Sequence, residues 1–228
     1  MHIAEGFLPL LWCVLYFAIA IPVVACGIHR FREIRENFPK AVPLVVVAGA
    51  FMFVLSALKI PSVTGSCSHP TGSGIAVITF GLPITAMLGM IVLIFQALLL
   101  AHGGITTLGA NTVSMGIMGP LVGYLAYRVL NKTNIRWEYV VFTVAFLADV
   151  FTYVMTSTQL ALAYPTPSLS QAWTTFMTIF VFTQIPLAIA EGLLTVSLFH
   201  YLIKYREDIL AKLKVLRVVR SAVVGGSS

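Results

Sequence analysis

The chain has 228 residues, 59% of them hydrophobic and only 10% charged, with a mean hydropathy of +0.96. A soluble domain of this size could not cover its surface with so few charges, so an integral membrane protein is implied. The formal net charge is +6, but the basic residues cluster between apolar runs, which speaks for membrane orientation and against nucleic acid.

The first nine residues, Met1-His2-Ile3-Ala4-Glu5-Gly6-Phe7-Leu8-Pro9, carry the sharpest chemical signal. A histidine directly behind a free amino terminus offers three nitrogens to one metal ion: the Met1 amine, the His2 amide and an imidazole nitrogen of His2. They close two fused chelate rings nearly in one plane and leave a fourth in-plane position open. Such a nitrogen-rich, tetragonal set suits Ni(II) or Cu(II) better than tetrahedral Zn(II) or oxygen-seeking Mg(II). Initiator methionine is removed mainly ahead of small residues, so with bulky His2 behind it Met1 is expected to persist. No basic leader precedes the first apolar run, so no cleaved signal is expected.

Apolar segments follow over residues 9–28, 41–58, 83–101, 112–130, 138–163 and 172–203, each long enough to cross a bilayer, which takes ~20 residues. A seventh, residues 72–82, is too short for a standard span. Charge decides whether it crosses. If it does, Arg30, Arg32, Arg35, Lys40, Arg128, Lys132, Arg136 and the basic stretch from Lys204 to Arg220 share one face, and only Lys59 is left on the other. The positive-inside rule then gives an all-α integral membrane protein with seven transmembrane helices, the amino terminus outside and the carboxyl terminus inside. The short crossing must be shortened, bent or partly unwound, and irregular backbone at that depth survives only inside protein or along a cavity. Residues 1–205 are expected to form the seven-helix metal-binding domain and 206–228 a cytoplasmic basic tail. The same parity puts His2, His69 and His102 on the outer side and His29 and His200 on the inner.

The loop Thr64-Gly65-Ser66-Cys67-Ser68-His69-Pro70-Thr71-Gly72-Ser73-Gly74 leads into the short span. His69 is the candidate fourth ligand, with the Cys67 thiolate competing and shifting preference to softer metals. Gln96 and His102, with Asn111 nearby, form a second outer polar group. They are candidates to support the ligands, although His102 could equally cap the helix ending near Ala101. Asp149 and Glu191 lie inside spans with no basic neighbour in sequence, at an expected depth away from the metal, where packing or partner docking fits better than ligation. Gly119 and Gly123 have the small-xxx-small spacing of close helix contact. Three cysteines, an odd number, imply no disulfide framework. There is no phosphate-binding loop and no GxSxG or HExxH motif, so any nucleotide site belongs to another chain.

The opening Met1-His2-Ile3…Gly6-Phe7-Leu8-Pro9, the loop Cys67-Ser68-His69-Pro70-Thr71-Gly72 and the run from Gln96 to Gly104 with Thr107-Leu108-Gly109-Ala110-Asn111 together resemble the substrate-binding component of nickel/cobalt energy-coupling-factor transporters, the CbiM/NikM type. The resemblance covers nearly the whole chain. It implies a seven-helix subunit of a prokaryotic cell membrane that captures a divalent metal through the Met1 amine, the His2 amide and imidazole, and His69. Ser68, Thr71, Gln96, His102 and Asn111 would line or support that site. It implies as partners a transmembrane coupling subunit, a small membrane-anchored companion and cytoplasmic ATPase subunits, with no organic cofactor. Four in-plane nitrogens including an ionised amide favour low-spin Ni(II), so nickel is the expected cargo and Co(II) the alternative. A different class, a His-ligated membrane redox protein, needs two histidines at one depth on facing helices, whereas His69 and His102 sit in loops.

Overall fold

The computed structural model describes residues 2–61 and 66–216. Among them are seven helices: α1 (Leu10–Asn37), α2 (Val42–Ala57), α3 (Ser73–Phe80), α4 (Leu82–Leu100), α5 (Leu108–Leu130), α6 (Trp137–Ala163) and α7 (Leu169–Lys212). All but α3 are long and apolar enough to cross a membrane. The protein is a multi-pass membrane protein.

α1 shows why such helices stand in lipid. Cys13, Tyr16, Ala20, Val24 and Gly27 recur at helical spacing and are buried, while Leu10, Leu11, Val14, Ile19 and Ile21 on the other faces are exposed. A helix apolar on every side, with one stripe packed inward, belongs in a bilayer. α1 runs past the expected end at Ile28 to Asn37, because the basic segment beyond the apolar run continues the same hydrogen-bond ladder; Arg30 pairs with Glu33 at 2.9 Å there. α7 likewise overshoots its apolar run. It bends at Arg206 (φ −136°, ψ 32°), after which Ile209, Leu210, Val215 and Leu216 are buried again beside Ala41 and Tyr127.

Helix α3 has only eight residues, Ser73–Phe80, and all but the last of them are buried. The chain enters it through the non-helical residues 69–72, from the end where His69 lies, and leaves at Gly81 beside Arg30, Arg128 and Lys132 at the basic end. This is the partly unwound crossing that the charge parity requires. Non-helical residues can advance up to ~3.3 Å each against 1.5 Å in helix, so a few of them add reach that eight helical residues lack. Gly72 makes the join possible: its φ is +67°, and a Cβ there would lie 2.8 Å from the Met52 Cα.

Close approaches of small residues set the rest. Gly119 and Gly123 of α5 pack closely against α6, where a Cβ at Gly123 would come within 3.1 Å of the Ala148 Cβ, as the sequence spacing anticipates. Within α5 the turns over Thr112–Met118 are of the wider π type, a distortion frequent at functional sites. Met52, Met87 and Met115 are buried core residues. Before α3 a short antiparallel hairpin pairs β1 (Ile60–Pro61) with β2 (Cys67–Ser68), and the chain's own beginning joins it through a bridge between Ile3 and Ser66.

Candidate metal centre

The amino-terminal segment is threaded into the bundle. Ile3 is fully buried among Leu8, Cys13, Tyr153 and Phe180. Its backbone N–H donates to the Asn111 Oδ1 at 2.7 Å, and its carbonyl accepts from the Asn111 Nδ2 at 3.1 Å and the Thr107 Oγ1 at 2.8 Å. The next turn is fixed as well. The Thr106 N–H donates to the Glu5 carboxylate at 3.2 Å, Gly6 turns at φ +69°, and the Tyr164 hydroxyl donates to the Phe7 carbonyl. Backbone buried this deep needs such partners, and they leave His2 in one place.

Four side chains converge there. His2, Cys67, His69 and His102 each offer one donor atom, all within 4.8 Å of one another, and all four residues are buried. The His102 Nε2 lies 2.8 Å from both the His2 Nδ1 and the Cys67 Sγ. His2 and His69 stack with ring centroids 4.4 Å apart, and His102 stands edge-on to both. Metal–nitrogen bonds of ~2 Å put ligand atoms about 3 to 4 Å apart, so small side-chain shifts suffice to close the group on one ion. Met1 lies outside the described residues, and so does its amine.

The tautomer of His69 follows from its partner. Its Nδ1 lies 2.8 Å from the Pro70 carbonyl, which can only accept, so Nδ1 carries the proton and the lone pair sits on Nε2. That Nε2 is buried and has no hydrogen-bond partner among the described residues. An orphaned, buried, deprotonated nitrogen held by a carbonyl behind it is how a metal-binding histidine is prepared. Burial, and then the nearby His69, hold the His2 imidazole well below its ordinary range, and burial pushes His102 down to about 3. Both rings are therefore neutral at pH 7 and free to ligate. Burial pushes the Cys67 thiol up, which keeps it a thiol unless an ion displaces its proton.

The five residues expected to line the site separate into distinct places. Asn111 tethers Ile3, and His102 is inside the donor cluster itself. Gln96 is not at the cluster: its side chain donates to the Ser56 Oγ at 2.6 Å, and only its backbone carbonyl reaches the His102 N–H, at 3.2 Å, across the left-handed turn of Ala101 (φ 46°). Ser68 meets the Thr183 hydroxyl at 2.8 Å, and the Thr71 hydroxyl donates to Glu191 at 3.0 Å. Asp149 and Glu191, expected away from the site, are both linked to the loop that carries His69, Asp149 through Gln184 and Glu191 through Thr71. Gln184 bonds both Asp149 and the His69 carbonyl, because the unwound chain carries the loop down into the bundle. His29 and His200 lie elsewhere, against Glu33 and Trp137.

A cleft of about 190 Å³, lined by His2, Cys67, His102, Gly103, Ala101 and Lys59, reaches the cluster; His69 lies deeper and is fully buried. A larger cavity of about 720 Å³ runs between α1, α2 and α4, is lined by apolar side chains such as Val24, Phe31 and Phe95, and holds none of the donors.

Residues 2–209 match the family described as the cobalt uptake substrate-specific transmembrane region, CbiM. The putative cobalt transport protein CbiM of Methanocaldococcus jannaschii is 51% identical over 216 residues, covering 95% of this chain and 93% of that protein. That of Methanococcus voltae is 55% identical over 214 residues, 93% and 96% of the two chains. The cobalt transport protein CbiM of Carboxydothermus hydrogenoformans is 54% identical over 207 residues, 91% and 85%. Among solved structures, a truncated transition metal transporter superposes with a TM-score of 0.76 at 24% identity, covering 90% of this chain and 99% of that one. A second structure, of a transition metal transporter, gives 0.76 at 25% identity, with 90% and 93% covered. With its seven helices, its buried histidine cluster and a match over nearly its full length, the chain belongs to the CbiM family.

Proposed function

We propose that this chain captures a divalent metal ion from outside the cell for an ATP-driven importer, and that the chain's own amino terminus is part of the ligand set. It is a transporter component rather than an enzyme. The observation that carries the reading is the burial of His2 and Ile3 in the bundle with His2, Cys67, His69 and His102 converging around one point. The Met1 amine, the His2 amide nitrogen, the His2 Nδ1 and the His69 Nε2 make the primary set. His102 and Cys67 stand beside it at the cleft, where the ion enters.

The relatives named as cobalt transport proteins make Co(II) the first cargo to assign. The site adds a reason: His102 and Cys67 place extra donors next to the four nitrogens, and Co(II) accepts a fifth ligand where planar low-spin Ni(II) needs none. Ni(II) is the second reading, favoured by the four nitrogens taken alone. Cu(II) outranks both in ordinary affinity, so exclusion of copper rests on availability and on the rigidity of the tether.

The topology supported by the charge pattern puts the cleft outside and the basic ends of α1, α5 and α7 inside. Residues 1–205 then form the metal-binding bundle and 206–228 the inward basic tail. A coupling subunit in the membrane, a small membrane-anchored companion and cytoplasmic ATPases would complete the machine, since the chain carries no phosphate-binding motif. Redox chemistry on a haem is disfavoured, because imidazoles stacked at 4.4 Å leave no slot for a planar macrocycle.

The test is titration of purified protein, its first residue unextended, with Co(II) and Ni(II). Tight binding of one ion per chain supports the reading, and absence of saturable binding of either ion contradicts it.

A further inference from the structure

We propose that Glu191 and the Gln184–Asp149 pair are positioning residues of the metal centre: they grip the unwound stretch from His69 to Thr71 and so set where the His69 Nε2 sits. The inference rests on His69 being a ligand of the cargo.

Unwound chain inside a bilayer leaves N–H and C=O groups that helix would have satisfied, and each must find a partner. Here α7 supplies them from two positions, seven residues and so two turns apart on one face. Gln184 donates its Nε2 to the His69 carbonyl at 3.2 Å and to the Asp149 Oδ2 at 2.6 Å. Glu191 accepts from the Thr71 N–H and, at 3.0 Å, from the Thr71 Oγ1. The Thr71 hydroxyl also meets the Ser73 Oγ at 2.9 Å, which ties the grip to the start of α3. On the far side Gly72 rests against the Met52 backbone. The peptide carrying His69 is thus held at both ends.

Two carboxyl groups are an expensive way to hold a loop. Asp149 and Glu191 are both fully buried, and neither forms an ion pair with Lys or Arg among the described residues. A serine or asparagine would satisfy Thr71 at lower desolvation cost. Carboxyl groups make sense where a cation arrives nearby, because they offset its charge in a low-dielectric interior and make the grip firmest when the ion is bound. Partners that bond a ligand's ring directly change metal affinity in other sites by about 10- to 100-fold; here the grip is on the backbone that carries the ligand, through the His69 carbonyl and Thr71.

The test uses full-length protein in nanodiscs with Co(II) as probe, reading the dissociation constant and the visible spectrum. Glu191→Ala and Gln184→Met are expected to weaken Co(II) by roughly 10- to 100-fold and shift the visible bands, as for other second-layer partners. Glu191→Gln keeps an acceptor for Thr71 but removes the charge, and is expected to recover the positioning part of the affinity and fall between Glu191→Ala and the wild type. The deciding measurement is a cycle with His69→Ala. If the grip acts through His69, the same changes cost nothing further once His69 is gone; a merely structural role gives equal losses in both backgrounds. Equal losses, or single variants that bind like the wild type, overturn the proposal while leaving the metal centre standing. Wild-type protein that binds no Co(II) overturns the centre, and the proposal with it. Should Glu191→Ala not fold, Gln184→Met, which keeps the side-chain length, decides alone.

Discussion

Asn111 holds Ile3 at two points, its Oδ1 taking the Ile3 N–H at 2.7 Å and its Nδ2 giving to the Ile3 carbonyl at 3.1 Å. One side chain from the start of α5 thereby pairs with the chain's third residue much as a neighbouring strand would, 108 residues away in sequence. The hairpin flanks the same residue through the Ser66 bridge. Between them the amino-terminal segment becomes a fixed part of the bundle.

Asn111→Leu should therefore loosen the amino terminus without emptying the core. Two buried hydrogen bonds are lost, at a cost on the order of 1–3 kcal/mol, and Co(II) affinity should fall by tenfold or more. Aminopeptidase digestion of metal-free protein should accelerate in parallel. Unchanged affinity and unchanged digestion would mean that Asn111 does not position the amino terminus.

His69→Ala should remove most of the affinity, by about 100-fold or more, with the helical content preserved and unfolding still cooperative. His69 is fully buried and its ring stacks on His2, so the metal-free variant is expected to lose some stability as well, which its melting curve reads separately from the titration. Titration indistinguishable from wild type would move that ligand elsewhere.

Cys67 separates two coordination modes. If nitrogen donors make the primary set, Cys67→Ser should change affinity by less than about fivefold, and bound Co(II) or Ni(II) should lack the strong near-ultraviolet band of a metal thiolate. Because Cys67 lines the cleft, bound metal should still slow its alkylation. An intense thiolate band that vanishes in Cys67→Ser would place sulfur in the set.

Acid should destabilise the metal-free protein in a defined window. His102 is pushed down to about 3 in the fold, against 6.5 when free. Between those values the unfolded chain binds a proton that the folded one does not, so stability falls as pH drops below about 6.5 and is flat in this term above it. His2 acts in the same direction. Melting temperatures from pH 8 to 4 should decline less steeply for His102→Gln than for wild type; identical slopes would contradict a buried neutral imidazole.

Much of the architecture is legible in residue order. Apolar run length finds the six long helices, and placement of Lys and Arg forces the short seventh crossing through residues 72–82. Helix ends are not legible where basic segments extend α1 and α7 beyond the apolar run. The His2–His69 pairing follows from chelate chemistry and from the resemblance. Cys67 is legible as a competing ligand beside His69, and His102 as a supporting residue, but not their meeting with His2: 35 residues separate Cys67 from His102, and they come together where the β1–β2 pair forms and Ala101 adopts a left-handed turn. Asp149 and Glu191 mislead for a related reason. Their depth can be read from the helices that carry them, but no local pattern shows that residues 69–72 descend to meet them.

The Met1 amine is the most exacting part of the proposed ligand set, because no side chain can replace it. The direct measurement is Co(II) and Ni(II) titration of a variant carrying one extra residue ahead of Met1, alongside the natural sequence, with melting curves to confirm folding. An added residue turns the amine into an amide and pushes a further peptide into a space that Ile3 and Asn111 already fix. Tight binding should disappear while the melting curve stays cooperative. Full affinity in a well-folded extended protein would contradict the account.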